Sequence, residues 1–241
     1  LYYAYSLEKL PLSFGLGLYS PFGLSSRWPQ DTGFRTVATE GRLSYMTINP
    51  VAAWRIAPQL SVAAGLTVNY ADTDLQQGLV WPTQPYDGFR FKGSGWDVGY
   101  NLGVRWQLHE KVSLGATFKS ATTIDLSGST EAHNDVALPA FGVPTFRYSS
   151  DASASFAFPL KAIVGISFRP TRQWNLEFNA DYTDWNRLKT VTIKQATPPP
   201  LLLPQNVSLP LNWRSSWYYE FGATHYFEKG WSVSAGYIFN E

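Results

Sequence analysis

Rings and cations alternate at two places in this chain. Phe34 precedes Arg35, and Phe89-Arg90-Phe91-Lys92 alternates aromatic and charged side chains. Rings exclude water, and a cation grips a carboxylate through charge-assisted hydrogen bonds. The mixture therefore suits a groove for a fatty acid, a long apolar chain ending in one anion. Basic residues at strand ends also meet water with their tips while their stems lie on apolar surface. Lys189 and Lys194, beyond Trp185, are candidates for the same role. Phe141 and Phe146 stand near Pro139, Val143 and Pro144, and Leu201–Leu203 form a second apolar stretch between polar segments. Apolar residues in such connections either pack together or meet a greasy ligand.

Other chemistry has little to build on. Asp72, Asp74 and Asp87 share one region and could bind calcium or act as paired carboxylates, although a solvated loop is the plainer reading. His109, His133 and His225 are scattered, with neither metal-ligand spacing nor a nucleophile beside them. The chain has no cysteine, which removes disulfides, thiol catalysis and Cys-ligated zinc together. Gly93-Ser94-Gly95 leads into a strand pattern rather than a helix, so it is no phosphate loop. Nineteen Lys and Arg against 18 Asp and Glu give a net charge of +1, and no electrostatic case for nucleic acid. No enzyme activity, cofactor or metal is expected.

The elements that must position these residues are strands. In Trp174-Asn175-Leu176-Glu177-Phe178-Asn179-Ala180-Asp181-Tyr182 every second residue is apolar and each one between is Asn, Glu or Asp. Successive strand side chains point to opposite faces, so this segment has one greasy and one wet face. The pattern recurs in Val112–Phe118, Val62–Tyr70 and Trp231–Phe239. Asp97, Arg105, Glu177, Asp181 and Glu220 all fall on wet faces. No run approaches the ~20 apolar residues of a membrane helix.

About ten strands are predicted, at 1–7, 11–19, 39–56, 60–74, 89–107, 111–127, 154–169, 172–190, 213–227 and 231–239. From residue 11 onward, short connections such as Ala57-Pro58-Gln59 alternate with long ones at roughly 20–38, 75–88, 128–153 and 191–212. An up-and-down barrel then has short turns at one end and long loops at the other, as in the outer membrane. Trp96 and Trp106 lie ten residues apart on one strand face. That is ~33 Å along a strand and ~25 Å after a ~40° tilt, the height of the apolar band between aromatic girdles. Trp217 and Phe227 repeat the spacing.

Several stretches resemble the FadL/TodX family of outer-membrane transporters for long-chain fatty acids and other hydrophobic compounds. Lys92-Gly93-Ser94-Gly95-Trp96-Asp97-Val98-Gly99-Tyr100-Asn101-Leu102-Gly103 is similar to the family's glycine- and tryptophan-bearing strand. Gly115-Ala116-Thr117-Phe118-Lys119-Ser120 is similar to its tyrosine-arginine-serine strand ending, and Asp181-Tyr182-Thr183-Asp184-Trp185 to its Tyr-Thr-x-Trp segment. Ser20-Pro21-Phe22-Gly23-Leu24 sits where the family has a loop after an early strand. The resemblance runs in order along the whole chain.

It implies an all-β, antiparallel up-and-down transmembrane β-barrel. Residues 1–241 would be a single barrel domain holding roughly strands two to eleven of fourteen, a fragment without the N-terminal hatch and the last strands. It also implies a multi-pass outer-membrane monomer, in contact with membrane lipid and lipopolysaccharide. Hydrophobic molecules would be captured at extracellular loops, passed into the barrel and released through a gap in the wall. The family's ligand-contacting basic residues do not align cleanly, since Asp72 stands where one is expected. Two other readings remain. A porin for polar solutes predicts a charged constriction loop. A soluble β protein binding carbohydrate on aromatic platforms predicts solubility without detergent.

Overall fold

A computed structural model describes residues 1–200 and 203–241. Alternation produces strands almost everywhere. They are β1 (Tyr2–Ser6), β2 (Leu12–Tyr19), β3 (Gly23–Arg27), β4 (Glu40–Ala57), β5 (Leu60–Gln77), β6 (Asp87–His109), β7 (Val112–Lys119), β8 (Thr122–Asn134), β9 (Phe146–Phe158), β10 (Lys161–Phe168), β11 (Trp174–Thr183), β12 (Thr190–Gln195), β13 (Asn206–Pro210), β14 (Ser216–Tyr226) and β15 (Ser232–Asn240).

Ten of them form one continuous antiparallel wall in the order β1-β2-β4-β5-β6-β7-β10-β11-β14-β15, the meander expected from the sequence. The wall is not closed: β1 and β15 are its two edges. Tight turns at 58–59 and 110–111 mark one end, and the long connections all leave from the other.

The extra strands lie within those long connections. The sequence reading ends one strand at 127 and resumes at 154. In the structure β8 runs to Asn134, and β9 begins at Phe146. Ser127-Gly128-Ser129 and Ser149-Ser150 carry little strand propensity. They are extended because a full ladder from Thr122↔Phe158 to Asn134↔Phe146 holds them, with β6 on the far side of β8. Likewise β12 and β13 pair with each other inside the predicted loop 191–212, and β12 pairs briefly with β9. The predicted strand 172–190 stops at Thr183, followed by a one-turn 3-10 helix at Trp185–Arg187.

Two breaks shape the wall. Between β2 and β3 the register against β4 slips by one residue, from Tyr19↔Thr47 to Gly23↔Ser44. Pro21, which has no N–H to donate, lies in the break, and Phe22 turns inward onto Tyr45, Phe158 and Trp185. The second break separates β7 from β8 at Ser120-Ala121, opposite Pro159-Leu160 between β9 and β10. Residues 95–100 of β6 therefore have no ladder partner on that side. Asp97 fills part of the gap by accepting the Thr123 N–H at 2.7 Å. Gly95 lets the bent hairpin approach, for a Cβ there would collide with the Asp125 carbonyl oxygen.

Side-chain orientation differs between the two ends. Along the wall, Trp96, Val98, Leu102 and Trp106 of β6 face outward and are exposed, as are Met46 and Trp54 of β4 and Val164 and Ile166 of β10. At the long-loop end the arrangement inverts. Phe89, Phe91, Tyr45, Ile124, Leu126, Phe156, Phe158, Val191 and Ile193 form a buried apolar cluster inside the sheet.

Candidate functional site

Above this cluster an apolar cavity of about 390 Å³ opens between β3 and the β12–β13 hairpin. That volume lies within the range of about 300–1,000 Å³ usual for small-molecule pockets. Its walls include Phe22, Leu43, Phe158, Trp185, Leu209 and Trp213. Each arrives by a definite route. Phe22 comes from the first wall break, Leu43 from the inner face of β4, and Phe158 from the foot of β9 beside Pro159. Trp185 sits on the one-turn helix that ends β11 and packs edge-on against Trp213, with ring centroids 4.9 Å apart. The inner faces of β3 and β13 both line the cavity, so these two sheet edges curl toward each other at the long-loop end. Such a lining takes up apolar matter and offers little to a polar solute.

The cations proposed from sequence are differently occupied. Arg35 is fully buried and locked: it pairs with Asp87 and donates to the Gln30 and Trp81 carbonyls, both at 2.7 Å. Asp87 in turn accepts from the backbone N–H of Leu79, Val80 and Trp81, so this pair ties the 78–87 loop to the 28–38 loop. Arg90 faces outward and donates to Asp74 at 2.9 Å. Arg90's hydrogen bond holds the Asp74 carboxyl below the usual carboxylate range. Asp72 pairs with Arg42 at 2.9 Å. Asp72, Asp74 and Asp87 are thus each taken by an arginine. Lys92 and Lys189 are exposed on the outside of the long-loop end.

The aromatic candidates divide. Phe89 and Phe91 are buried in the cluster beneath the cavity, and Phe146 packs half-buried against the same cluster. Phe34 is exposed and stacks edge-on with Trp28. Phe141 projects from the tip of the β8–β9 connection, 81% exposed and away from the cavity lining. Of the apolar run Leu201–Leu203, Leu203 is buried in the core, and Leu201 and Leu202 lie outside the described residues.

One cation escaped the sequence reading. Lys119, at the end of β7, points into the lumen, with its Nζ 5.6 Å from the ring centres of Tyr19, Phe22 and Tyr45. That Nζ is buried and has no hydrogen-bond partner among the described residues. A signal was available: Lys119 stands at the basic position of the tyrosine-arginine-serine strand ending that this stretch resembles, and it is the sole charge on the inward face of β7, which otherwise carries Ser113, Gly115 and Thr117.

Comparison with known proteins agrees with this geometry. A family model described as outer membrane protein transport protein (OMPP1/FadL/TodX) matches residues 3–241. A long-chain fatty acid transport protein of Escherichia coli O6:H1 is 22% identical over 237 residues, covering 94% of this chain and 49% of that protein. One from Salmonella typhi is 20% identical over 250 residues, covering 94% of this chain and 56% of its own length. The chain therefore spans about half the length of these curated relatives. Among solved structures, a Pseudomonas aeruginosa FadL homologue superposes with a TM-score of 0.86 at 18% identity, over 100% of this chain and 59% of that one. The Ralstonia pickettii toluene transporter TbuX does so with a TM-score of 0.79 at 18% identity, over 100% and 68%. At these identities the structural matches establish the fold.

Proposed function

The chain belongs to the OMPP1/FadL/TodX family of outer membrane transport proteins, which are transporters and not enzymes, and from that premise we propose that it carries fatty acids or similar hydrophobic molecules passively across the bacterial outer membrane. The observation that carries this reading is the apolar cavity at the long-loop end, lined by Phe22, Phe158, Trp185 and Trp213. A molecule leaving water for this cavity gains from burial of its apolar surface. The outward Trp96–Trp106 belt sets the wall in lipid, with its long loops outside the cell. The ten wall strands are part of a 14-stranded barrel. Cargo is captured among the long loops, rests in the cavity and leaves sideways at the break Ser20–Phe22, where the β2–β4 ladder is interrupted. The curated relatives are named for long-chain fatty acids and one solved relative for toluene, so both kinds of cargo suit the family.

A polar-solute porin fits poorly, because apolar side chains fill the long-loop end where a charged constriction would be needed. The test is uptake of a labelled long-chain fatty acid by cells lacking their own transporter and expressing the full-length protein. Saturable uptake with confirmed surface assembly is expected. Absence of uptake despite surface assembly would overturn the fatty-acid assignment.

A further inference from the structure

We infer that three neighbouring short turns, β6–β7, β10–β11 and β14–β15, form a site for an anionic phospholipid of the adjoining membrane leaflet, with Lys111, Arg172 and Lys229 gripping its phosphodiester. The inference rests on the outer-membrane reading above, which sets the short turns at the periplasmic face, and adds a lipid ligand to it.

Charge pairing divides the molecule by height. All seven ion pairs among the described residues, from Arg27–Glu40 to Lys161–Asp181, lie toward the long-loop end. The three short turns hold Lys111, Arg169, Arg172 and Lys229, and none of these has a carboxylate at ion-pair distance among the described residues. Glu110 and Glu228 are the acids of the same turns, so the patch is net positive. Glu177 on β11 faces the lumen and accepts from Asn175 at 2.7 Å. Hydrogen bonds tie the turns into one surface. Lys111 Nζ donates to the Pro170 carbonyl at 3.0 Å, and the Arg169 N–H to the Lys111 carbonyl at 2.8 Å. The Tyr226 N–H donates to the Gln173 carbonyl at 2.8 Å. Arg169 turns inward to Asn175 at 3.2 Å, which leaves Lys111, Arg172 and Lys229 for a ligand at the tips.

Outward rings set those tips in the head-group layer. Trp174, Phe227 and Trp231 are exposed on the outer face of the wall. Trp174 follows Arg172 by two residues, and Phe227 and Trp231 flank Lys229 by two on either side. Tryptophan settles at the membrane–water interface. Two residues of strand span only ~7 Å, so the cations end among the phosphates rather than beyond them. A phosphodiester suits them, as a bidentate partner for arginine and a point charge for lysine. His225 gives an independent sign. It pairs with Trp174 across the ladder and so faces outward, and its ring lies 4.5 Å from that of Trp174 and 4.4 Å from that of Phe227. Its buried Nδ1 has no hydrogen-bond partner among the described residues. Such an orphan is costly, and a glycerol hydroxyl beside the bound phosphate would satisfy it. An acidic soluble protein would answer the cations alone, whereas a lipid answers both the cations and the rings between them.

The test is quenching of tryptophan fluorescence in the full-length protein, reconstituted into phosphatidylcholine vesicles that contain either dibrominated phosphatidylglycerol or dibrominated phosphatidylcholine. Phosphatidylglycerol is expected to quench as a lipid bound about 5-fold more tightly, and high salt should shrink that preference. The triple variant Lys111→Gln/Arg172→Gln/Lys229→Gln should be quenched alike by both lipids, with heat-modifiable electrophoretic mobility as the folding check. Equal quenching of the unmodified protein by the two lipids overturns the inference and hands the patch to a soluble acidic partner. A preference that survives in the triple variant overturns it as well. The lipid ratio of the unmodified protein and its salt dependence decide even if the variant fails to fold. Quenching by neither lipid overturns the outer-membrane reading, and the inference falls with it.

Discussion

Strand β6 passes through two environments, and its side chains reverse between them. Over Trp96–Trp106 the apolar residues face outward and Asp97, Asn101 and Arg105 face the lumen. Over Asp87–Lys92 the apolar Phe89 and Phe91 face inward, and Arg90 and Lys92 face outward. The reversal falls at Gly93-Ser94-Gly95. Its neighbours reverse at the same height. On β5, Tyr70 lies outward opposite Trp96, whereas Leu75, five residues further on, lines the cavity. On β4, Met46 is exposed outward and Leu43 lines the cavity. One half of the molecule carries apolar side chains outside and polar groups inside, the other polar side chains outside and an apolar core. The apolar cavity lies in the second half, above the lumen into which Lys119 points.

The largest expected effect separates the two halves by cavity formation. Phe91→Ala empties a fully buried position and should destabilise the long-loop half by about 3–5 kcal/mol. Urea unfolding of protein refolded into vesicles, with Leu102→Ala as the outward counterpart, measures it. Equal losses at the two positions would contradict the inversion.

A charge placed on the outward face tests the belt. Leu102→Arg, near the middle of the span from Trp96 to Trp106, should cost about 2–4 kcal/mol in lipid, whereas Ser94→Arg, outward at the reversal itself, should cost about 0–1 kcal/mol. The same vesicle assay reads both. A cost at Ser94 matching that at Leu102 would move the lipid boundary past the glycines.

The smallest effect concerns the outward ion pair at the wet end. Asp74→Asn should cost about 1 kcal/mol or less, because Arg90 is partly exposed and solvent screens the pair. The sign with pH is fixed. Arg90 lowers the folded-state pKa of Asp74, so the pair's stabilisation is present above the ordinary carboxylate value and fades as pH falls through the lowered one. Stability measured from neutral to acid pH should therefore fall less steeply at the acid end in Asp74→Asn than in the unmodified protein.

Much of the wall was legible in the sequence because strand alternation is a local property. Val112–Phe118, Trp174–Tyr182 and Trp231–Phe239 each carry one greasy face, and the structure makes each a wall strand. The candidate site was legible only in part. Phe89 and Phe91 lie in the cluster below the cavity, but Phe22, Trp185 and Trp213, which line it, were named for other reasons or not at all. They come from a loop, a one-turn helix and the approach to β14, where no periodicity announces which way a side chain turns. The β8–β9 extension was read as loop because serine and glycine lack strand propensity, and pairing on both sides of β8 overrides that.

The amino-acid sequence by itself determined the strand rhythm, the two faces, the segregation of short turns from long loops and the outward placing of Trp96 and Trp106. Each follows from residues close together in the chain, since side chains alternate at every step and turns need particular residues locally. Tertiary structure alone decided which cations are held by anions and what surrounds the others. Arg35 meets Asp87 across 52 residues, and Lys119 meets rings of β2 and β4 only because a curved sheet brings opposite walls together. Ion pairing depends on register and curvature, which no single strand encodes.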